Sequence, residues 1–322
     1  MIYDILIVGA GPIGIACGIE AKKNNLSHIV IEKGCLTNSI YNYPVNMTFF
    51  STSQRLEVGD IPFVTINPKP RRAEALEYYR RIEEKFSLNT RLFEEVIGVK
   101  KEQNIFHIQT SKSNYLAKHV IIATGFYDIP VNLNVPGETL QKVKHYYNDP
   151  HYYAKQKVIV VGASNSSIDA ALEIYRKGGD VTLVIRSHEI SPRVKYWVKP
   201  DIENRIANAE IKVLYHANLK KITENDVIIN TPEGEICIQN DFVLALTGYK
   251  PNFEFLAKIG IQVEKEAPCV PFHNPDTMET NIEDMYLAGV VCGGLNTHLW
   301  FIENSRIHAK LILAQIKKRL GS

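Results

Sequence analysis

The stretch Asp4-Ile5-Leu6-Ile7-Val8-Gly9-Ala10-Gly11-Pro12-Ile13-Gly14 reads as a short apolar strand breaking into a glycine-rich turn. A helical stretch from Ile15 to about Asn24 follows, then a second strand, His28-Ile29-Val30-Ile31-Glu32. Together they form a βαβ unit whose turn has the spacing Gly9-x-Gly11-x-x-Gly14, with an acid, Glu32, ending the second strand. The physical reading is specific. Gly9 permits the tight turn, Gly11 lets backbone approach a pyrophosphate, and the phosphate charge rests against the helix N-terminus. Gly18, four residues after Gly14, lets the helix pack closely on the sheet, and Glu32 accepts hydrogen bonds from ribose hydroxyls.

The same grammar returns at Val158-Ile159-Val160-Val161-Gly162-Ala163-Ser164-Asn165-Ser166-Ser167, with a helix to about Lys177 and a strand from Val181 to Ile185. This strand ends on Arg186 and not on an acid. A carboxylate there would repel a ribose 2'-phosphate, whereas the planar fork of Arg pairs with it, so the second nucleotide is expected to be NADPH. Arg193 and Lys195 come within reach of that phosphate if their loop folds back, the alternative being a solvated loop.

Each unit closes similarly. Glu95 to Thr110 and Asn114 to Ala117 read as alternating strands ahead of a buried strand, His119-Val120-Ile121-Ile122-Ala123-Thr124-Gly125. The second copy runs Ile211 to Tyr215, Val227 to Asn230 and Glu235 to Gln239, then Phe242 to Leu246 with Thr247-Gly248. A whole domain plan is therefore duplicated, which excludes a dehydrogenase with one Rossmann unit and points to one dinucleotide held and one exchanged. Asp284 to Gly289 is a further short strand running into glycine, before a helix from about Trp300 to Arg319. The expected class is α/β, with two Rossmann-like dinucleotide-binding domains of the three-layer ββα type. Residues 1–126 and 249–322 would form a discontinuous first dinucleotide domain around an NADPH domain of residues 127–248, with hinges near Pro130 and Pro251.

Composition removes other classes. With 322 residues about two domains are expected, and 37 basic against 35 acidic residues leave no broad field for nucleic acid. Arg71/Arg72, Arg80/Arg81 and Lys317-Lys318-Arg319 read as solvated helix faces. No apolar run approaches the roughly 20 residues that span a bilayer, and Asp4 stands where a signal peptide would be basic. The 5 cysteines, at 17, 35, 237, 269 and 292, offer no close pair for zinc or a redox dithiol. A scattered, odd set fits a reducing cytosol, so a cytoplasmic protein without a metal is expected.

These residues resemble, over essentially the full length, two-dinucleotide flavoprotein reductases of the low-molecular-weight thioredoxin reductase type. Ser39-Ile-Tyr-Asn-Tyr-Pro44, Thr48-Phe49-Phe50-Ser51, Val58-Gly59-Asp-Ile-Pro62-Phe63, Lys69-Pro70-Arg71-Arg72, Asn165-Ser166-x-Ile168-Asp169-Ala170-Ala171 and Phe301-Ile302-Glu303-Asn304 are similar to the YpdA-type bacillithiol disulfide reductases. The resemblance implies FAD on the first turn and NADPH on the second. FAD neighbours would be Gly9, Gly11, Pro12, Ile13, Gly14, Glu32, Lys33, Tyr43, Thr48, Val96, Ala123, Thr124, Gly125, Gly289 and Ile302. NADPH neighbours would be Gly162, Ser164, Asn165, Ser166, Ser167, Arg186 and Lys195. A homodimer or higher homo-oligomer is expected.

Two departures stand out. The chain lacks the Cys-x-x-Cys with which thioredoxin and glutathione reductases store electrons, so the acceptor must meet the flavin more directly. YpdA-type chains commonly place a cysteine in the first turn where Ile13 stands, and Ile13 cannot attack a disulfide. Cys17 lies one turn further along that helix, but Ala16 and Gly18 beside it read as helix-to-sheet packing. Val290 stands where most such flavoproteins carry an Asp to the ribitol, a feature YpdA-type chains share. The N-terminus of the last helix is expected near the flavin pyrimidine, bringing His298 to Ile302 close to the ring. His298 could then supply a proton to the reduced acceptor, or cap the helix; His308 reads as packed or interfacial. The Tyr-rich run Lys144 to Tyr153 could flank the nicotinamide or fill a groove. Leu140, Lys142 and His145 only approximate the Phe-x-Gly-x-x-x-His motif of flavin monooxygenases, with His145 one residue early and Leu and Lys standing in place of Phe and Gly.

Three functions stay open: an NADPH-dependent reductase of a low-molecular-weight thiol disulfide, a reductase of a carrier protein such as flavodoxin or ferredoxin, and a redox-sensing flavoprotein with little turnover. His298 and Cys17 are the catalytic candidates.

Overall fold

The computed structural model describes residues 1–320. It divides into two compact units, one of Met1–Tyr43, Met47–Ile129 and the chain from Tyr249 onward, the other of Pro44–Asn46 and Pro130–Gly248. The α/β class expected from the sequence is what the chain adopts.

The first unit is built on strands β1 (Ile2–Val8), β2 (His28–Ile31), β3 (Thr90–Arg91), β4 (Val96–Glu102), β5 (Ile105–Thr110) and β6 (Asn114–Ile122). Their order is β3-β2-β1-β6-β5-β4, and the strand Met285–Leu287 joins on β6, giving seven strands among the described residues. β1 runs parallel to β2 and β6, with Val8 opposite both Ile31 and Ile122, so the three strands end together. Ile5, Leu6, Ile7, Ile121 and Ile122 are fully buried, as strands covered on both faces must be. Helix α1 (Pro12–Lys23) starts earlier than expected, at Pro12 itself. Proline suits that first position because its missing N–H would have no partner there. Gly18 earns its place by contact: a Cβ would stand 3.2 Å from Leu88 and 3.3 Å from Val30 side chains.

Two expectations are corrected here. Asn114–Ala117 and His119–Ile122 form one nine-residue strand, the exposed Lys118 interrupting the apolar pattern without interrupting the ladder. The single helix from Trp300 to Arg319 is instead two pieces, Ile302–Ser305 and Ile307–Leu320, beginning two residues later, with the side chain of Asn304 accepting the N–H of Phe301 at 2.7 Å.

The second unit contains β7 (Val143–Lys144), β8 (Lys157–Val161), helix α3 (Asn165–Arg176), β9 (Asp180–Val184), β10 (Lys212–Leu214) and β14 (Phe242–Ala245), ordered β10-β9-β8-β14-β7; the helix Arg72–Phe86 of the first unit is α2. β11 (Asn218–Ile222), β12 (Asp226–Thr231) and β13 (Gly234–Gln239) form a sheet of their own. β11 was not expected, because Lys220 and Lys221 obscure its alternation. Among the described residues no helix is long and apolar enough to cross a membrane.

Candidate functional site

At the carboxyl ends of β1 and β6 the chain closes to a fixed minimum distance. Gly9 has φ +107° and a Cβ there would lie 2.5 Å from the carbonyl oxygen of Ala123, so only glycine fits. A Cβ on Gly14 would lie 1.8 Å from the Gly9 oxygen. Gly11 differs from both: a Cβ there would meet nothing within 4 Å, and its backbone is extended at φ −71°. The protein itself leaves that space open. Helix α1 begins at this opening with no side-chain cap and no acid in its first turn, leaving N-terminal amides unpaired by side chains. Helix α2, by contrast, has Glu74 accepting the Arg71 N–H at 2.8 Å.

Glu32 is buried at 7 % exposure, and both its oxygens are engaged: Oε2 accepts the N–H of Ala10 at 2.8 Å and Oε1 that of Gly34 at 3.0 Å. Burial raises its pKa, with the two amides opposing that rise. The carboxylate thus ties the Gly-rich turn to the loop after β2, and its remaining lone pairs are what a ribose could use. Lys33 pairs with Asp128 at 2.8 Å. Val96 is buried at the start of β4, two residues after Glu94, whose N–H donates to the Glu32 carbonyl at 2.9 Å. Ala123 is fixed by its N–H donating to Val8 O at 2.8 Å, and Gly125 takes φ +73°.

Other expected residues lie in the same unit. Tyr43 packs edge-on to Tyr127 with centroids 4.8 Å apart, and Thr48 forms an isolated bridge with Arg71. Gly289, at φ +87°, has Ile13 where a Cβ would be 3.4 Å away, so Ile13 faces the turn after Met285–Leu287. Ile302 is half-buried and His298 exposed. Asn296 Oδ1 is buried without a hydrogen-bond partner. Cys17 is fully buried in α1, and burial, with Glu20 adding to it, pushes its thiol up to about 12.

The second unit repeats the turn with different contents. Gly162, at φ +131°, would bring a Cβ within 2.6 Å of Leu246 O. Ser164 and Ser166 are exposed beside the uncapped N-terminus of α3, which also lacks a first-turn acid. Ser167 is buried and its hydroxyl donates to Ser164 O at 2.8 Å. Arg186 is exposed just beyond β9 and makes no ion pair with a described residue. The following loop does fold back: Asn165 donates to Arg193 O at 3.1 Å and accepts the Lys195 N–H at 2.8 Å. Lys195 Nζ, however, is held by Asp169 at 2.6 Å, so its charge is largely answered inside the protein.

The profile of the pyridine nucleotide-disulphide oxidoreductases matches residues 6–289. Bacilliredoxin reductase Bdr of Bacillus subtilis (strain 168) is 46 % identical over 316 residues, covering 98 % of this chain and 97 % of that one. The solved bacillithiol disulfide reductase Bdr (YpdA) of Bacillus cereus superposes with a TM-score of 0.96 at 42 % identity, over 99 % of this chain and 100 % of the other. The Staphylococcus aureus structure of the same name gives 0.96 at 40 % identity, over 99 % of both chains. The chain belongs to the pyridine nucleotide-disulphide oxidoreductase family. It is a flavoprotein oxidoreductase of the Bdr type, as its sequence resemblance implied.

Asp128 and Asp169, which answer Lys33 and Lys195, carry no sequence signal for that pairing, because each acquires its partner from a residue distant in sequence.

Proposed function

We propose that this enzyme holds FAD on the first turn, takes hydride from NADPH bound on the second, and reduces a low-molecular-weight thiol disulfide, bacillithiol disulfide, without a protein dithiol. The observation that carries the cofactor pair is the contrast between two uncapped helix N-termini, one paired with a buried acid and one with an exposed arginine that makes no ion pair with a described residue. The substrate assignment draws its support from the full-length similarity to the Bdr enzymes.

In this reading the Gly9, Gly11, Pro12, Ile13 and Gly14 backbone receives the FAD pyrophosphate, Glu32 and Lys33 the ribose, and Val96 the adenine. Ala123, Thr124, Gly125, Tyr43, Thr48, Gly289 and Ile302 line the remainder. Gly162, Ser164, Asn165, Ser166 and Ser167 receive the second pyrophosphate, and Arg186 the 2'-phosphate, with Lys195 positioning the loop through Asp169. When bound, FAD would supply two-electron transfer between nicotinamide and disulfide, the S–S bond breaking to give two thiols, with one hydrogen arriving in the hydride from NADPH and one more taken up as a proton. His298, exposed ahead of Ile302–Ser305, offers that proton. Burial keeps the Cys17 and Cys292 thiols protonated, which suits a route that uses no protein thiolate.

The test is anaerobic reduction of the yellow protein by NADPH, followed by bacillithiol disulfide while the oxidised-flavin absorbance is watched. Rapid recovery, retained in Cys17→Ser, is the expected result. A bleached flavin that bacillithiol disulfide leaves bleached would sink the substrate and direct the search to carrier proteins.

A further inference from the structure

His308 takes no part in the cofactor contacts assigned above. It lies at the start of the helix Ile307–Leu320 and is 1 % exposed. Its Nδ1 accepts the N–H of Gly289 at 3.1 Å, and Cys292 Sγ stands 3.9 Å from the same nitrogen. The ring packs edge-on to Trp300, centroids 4.6 Å apart at 75°. Nε2 is buried without a hydrogen-bond partner.

A ring nitrogen that accepts an amide N–H carries no proton, so the neutral tautomer has its hydrogen on Nε2. Burial holds the imidazole down to about 4, His273 acting in the same direction. Burial also raises the Cys292 thiol. The two groups are pushed apart, which excludes a thiolate–imidazolium pair and leaves His308 as a fixed acceptor.

What it fixes is a turn with almost no polar side chains. From Gly289 to Gly294 the residues are Gly, Val, Val, Cys, Gly and Gly, so a ligand beside this turn is addressed by backbone. Gly289 sits at φ +87° against Ile13 of the Gly-rich turn, and a displaced Gly289 would change that wall. On its other side His308 sets the indole of Trp300, within the segment that precedes Ile302.

We propose that His308 is a positioning residue for the flavin: by holding the Gly289 turn and Trp300 in one arrangement it sets both flavin affinity and flavin reduction potential. This rests on the assignment of FAD to the first unit.

The experiment titrates flavin-stripped protein with FAD, followed by quenching of flavin fluorescence, and measures the midpoint potential of the reconstituted enzyme. His308→Asn places an acceptor oxygen near the Nδ1 position, His308→Gln places one nearer Nε2, and His308→Leu provides none. Leaving the Gly289 amide unsatisfied is expected to weaken FAD binding by about tenfold or more in the Gln and Leu variants. Asn should stay near wild type, and the potentials should shift in the same order. Equal FAD affinity and potential in wild type, Gln and Leu would overturn the proposal, as would Asn and Gln weakening FAD alike, which would indicate packing alone. If the Leu variant does not fold, the Asn–Gln pair decides. Wild-type protein that fails to bind FAD would overturn the cofactor assignment as well, and that result is read before any variant is made.

Discussion

At the third glycine of the first turn a Cβ would stand 1.8 Å from the Gly9 oxygen, whereas the matching place in the second unit accepts Ser167, whose hydroxyl bonds Ser164 O at 2.8 Å. The first glycines behave alike, each crowded by a carbonyl of the crossing strand's end, Ala123 in one unit and Leu246 in the other. The strand ends diverge again. Glu32 is buried and bound by two amides of its own chain, while Arg186 is exposed and without an ion pair to a described residue. One turn is therefore tied by a buried carboxylate into the packing of its unit, and the other has an exposed arginine at its strand end. That difference suits a resident cofactor in the first and an exchanging one in the second.

The largest expected effect separates the two third positions. Gly14→Ala should cost more than about 4 kcal/mol and yield little folded protein, since the obstructing atom is backbone. Ser167→Ala, which loses one hydroxyl hydrogen bond, should cost about 1 kcal/mol. Thermal melts of both variants check this, and a Gly14→Ala protein as stable as Ser167→Ala would break the comparison.

Gly11 gives an intermediate effect of a different kind. Because its backbone is extended and a Cβ meets no protein atom, Gly11→Ala should leave the flavin-free melting temperature unchanged or slightly raised. On the proposed placement of FAD, its affinity should nonetheless fall by at least about tenfold, because the methyl would occupy the approach assigned to the pyrophosphate. Undiminished FAD binding would mean that the opening serves something else.

In the second unit, Arg186→Ala should raise KM for NADPH by roughly 10- to 100-fold, the scale of lost charge-assisted hydrogen bonds, and leave that for NADH nearly unchanged. Steady-state kinetics with both nucleotides measure it. Equal loss with both would show that Arg186 does not read the 2'-phosphate.

Both turns were legible in the sequence because their requirements are local. A strand that must turn within two or three residues, approach a carbonyl and open a helix leaves glycine as the only solution at Gly9 and Gly162. Arg186 was equally legible, since its position follows from counting along one βαβ unit. The elements misread were those where local pattern and pairing part company. Lys118 interrupts an apolar run that β6 carries straight through, and Lys220-Lys221 mask β11, because a strand's existence depends on the ladder that a neighbour offers and not on its own alternation.

The chain by itself determined the two dinucleotide units, their order, the absence of a Cys-x-x-Cys pair and the acid-versus-arginine choice, all of which are set by residue type and spacing. Tertiary structure alone decided that Glu32 spends both oxygens on Ala10 and Gly34, that Lys195 is answered by Asp169, and that His308 supports Gly289. The reason is common to all three. Burial and hydrogen-bond partnership depend on which distant segments the packing brings within about 3 Å, and a group's proton affinity follows from that surrounding and not from its neighbours in sequence.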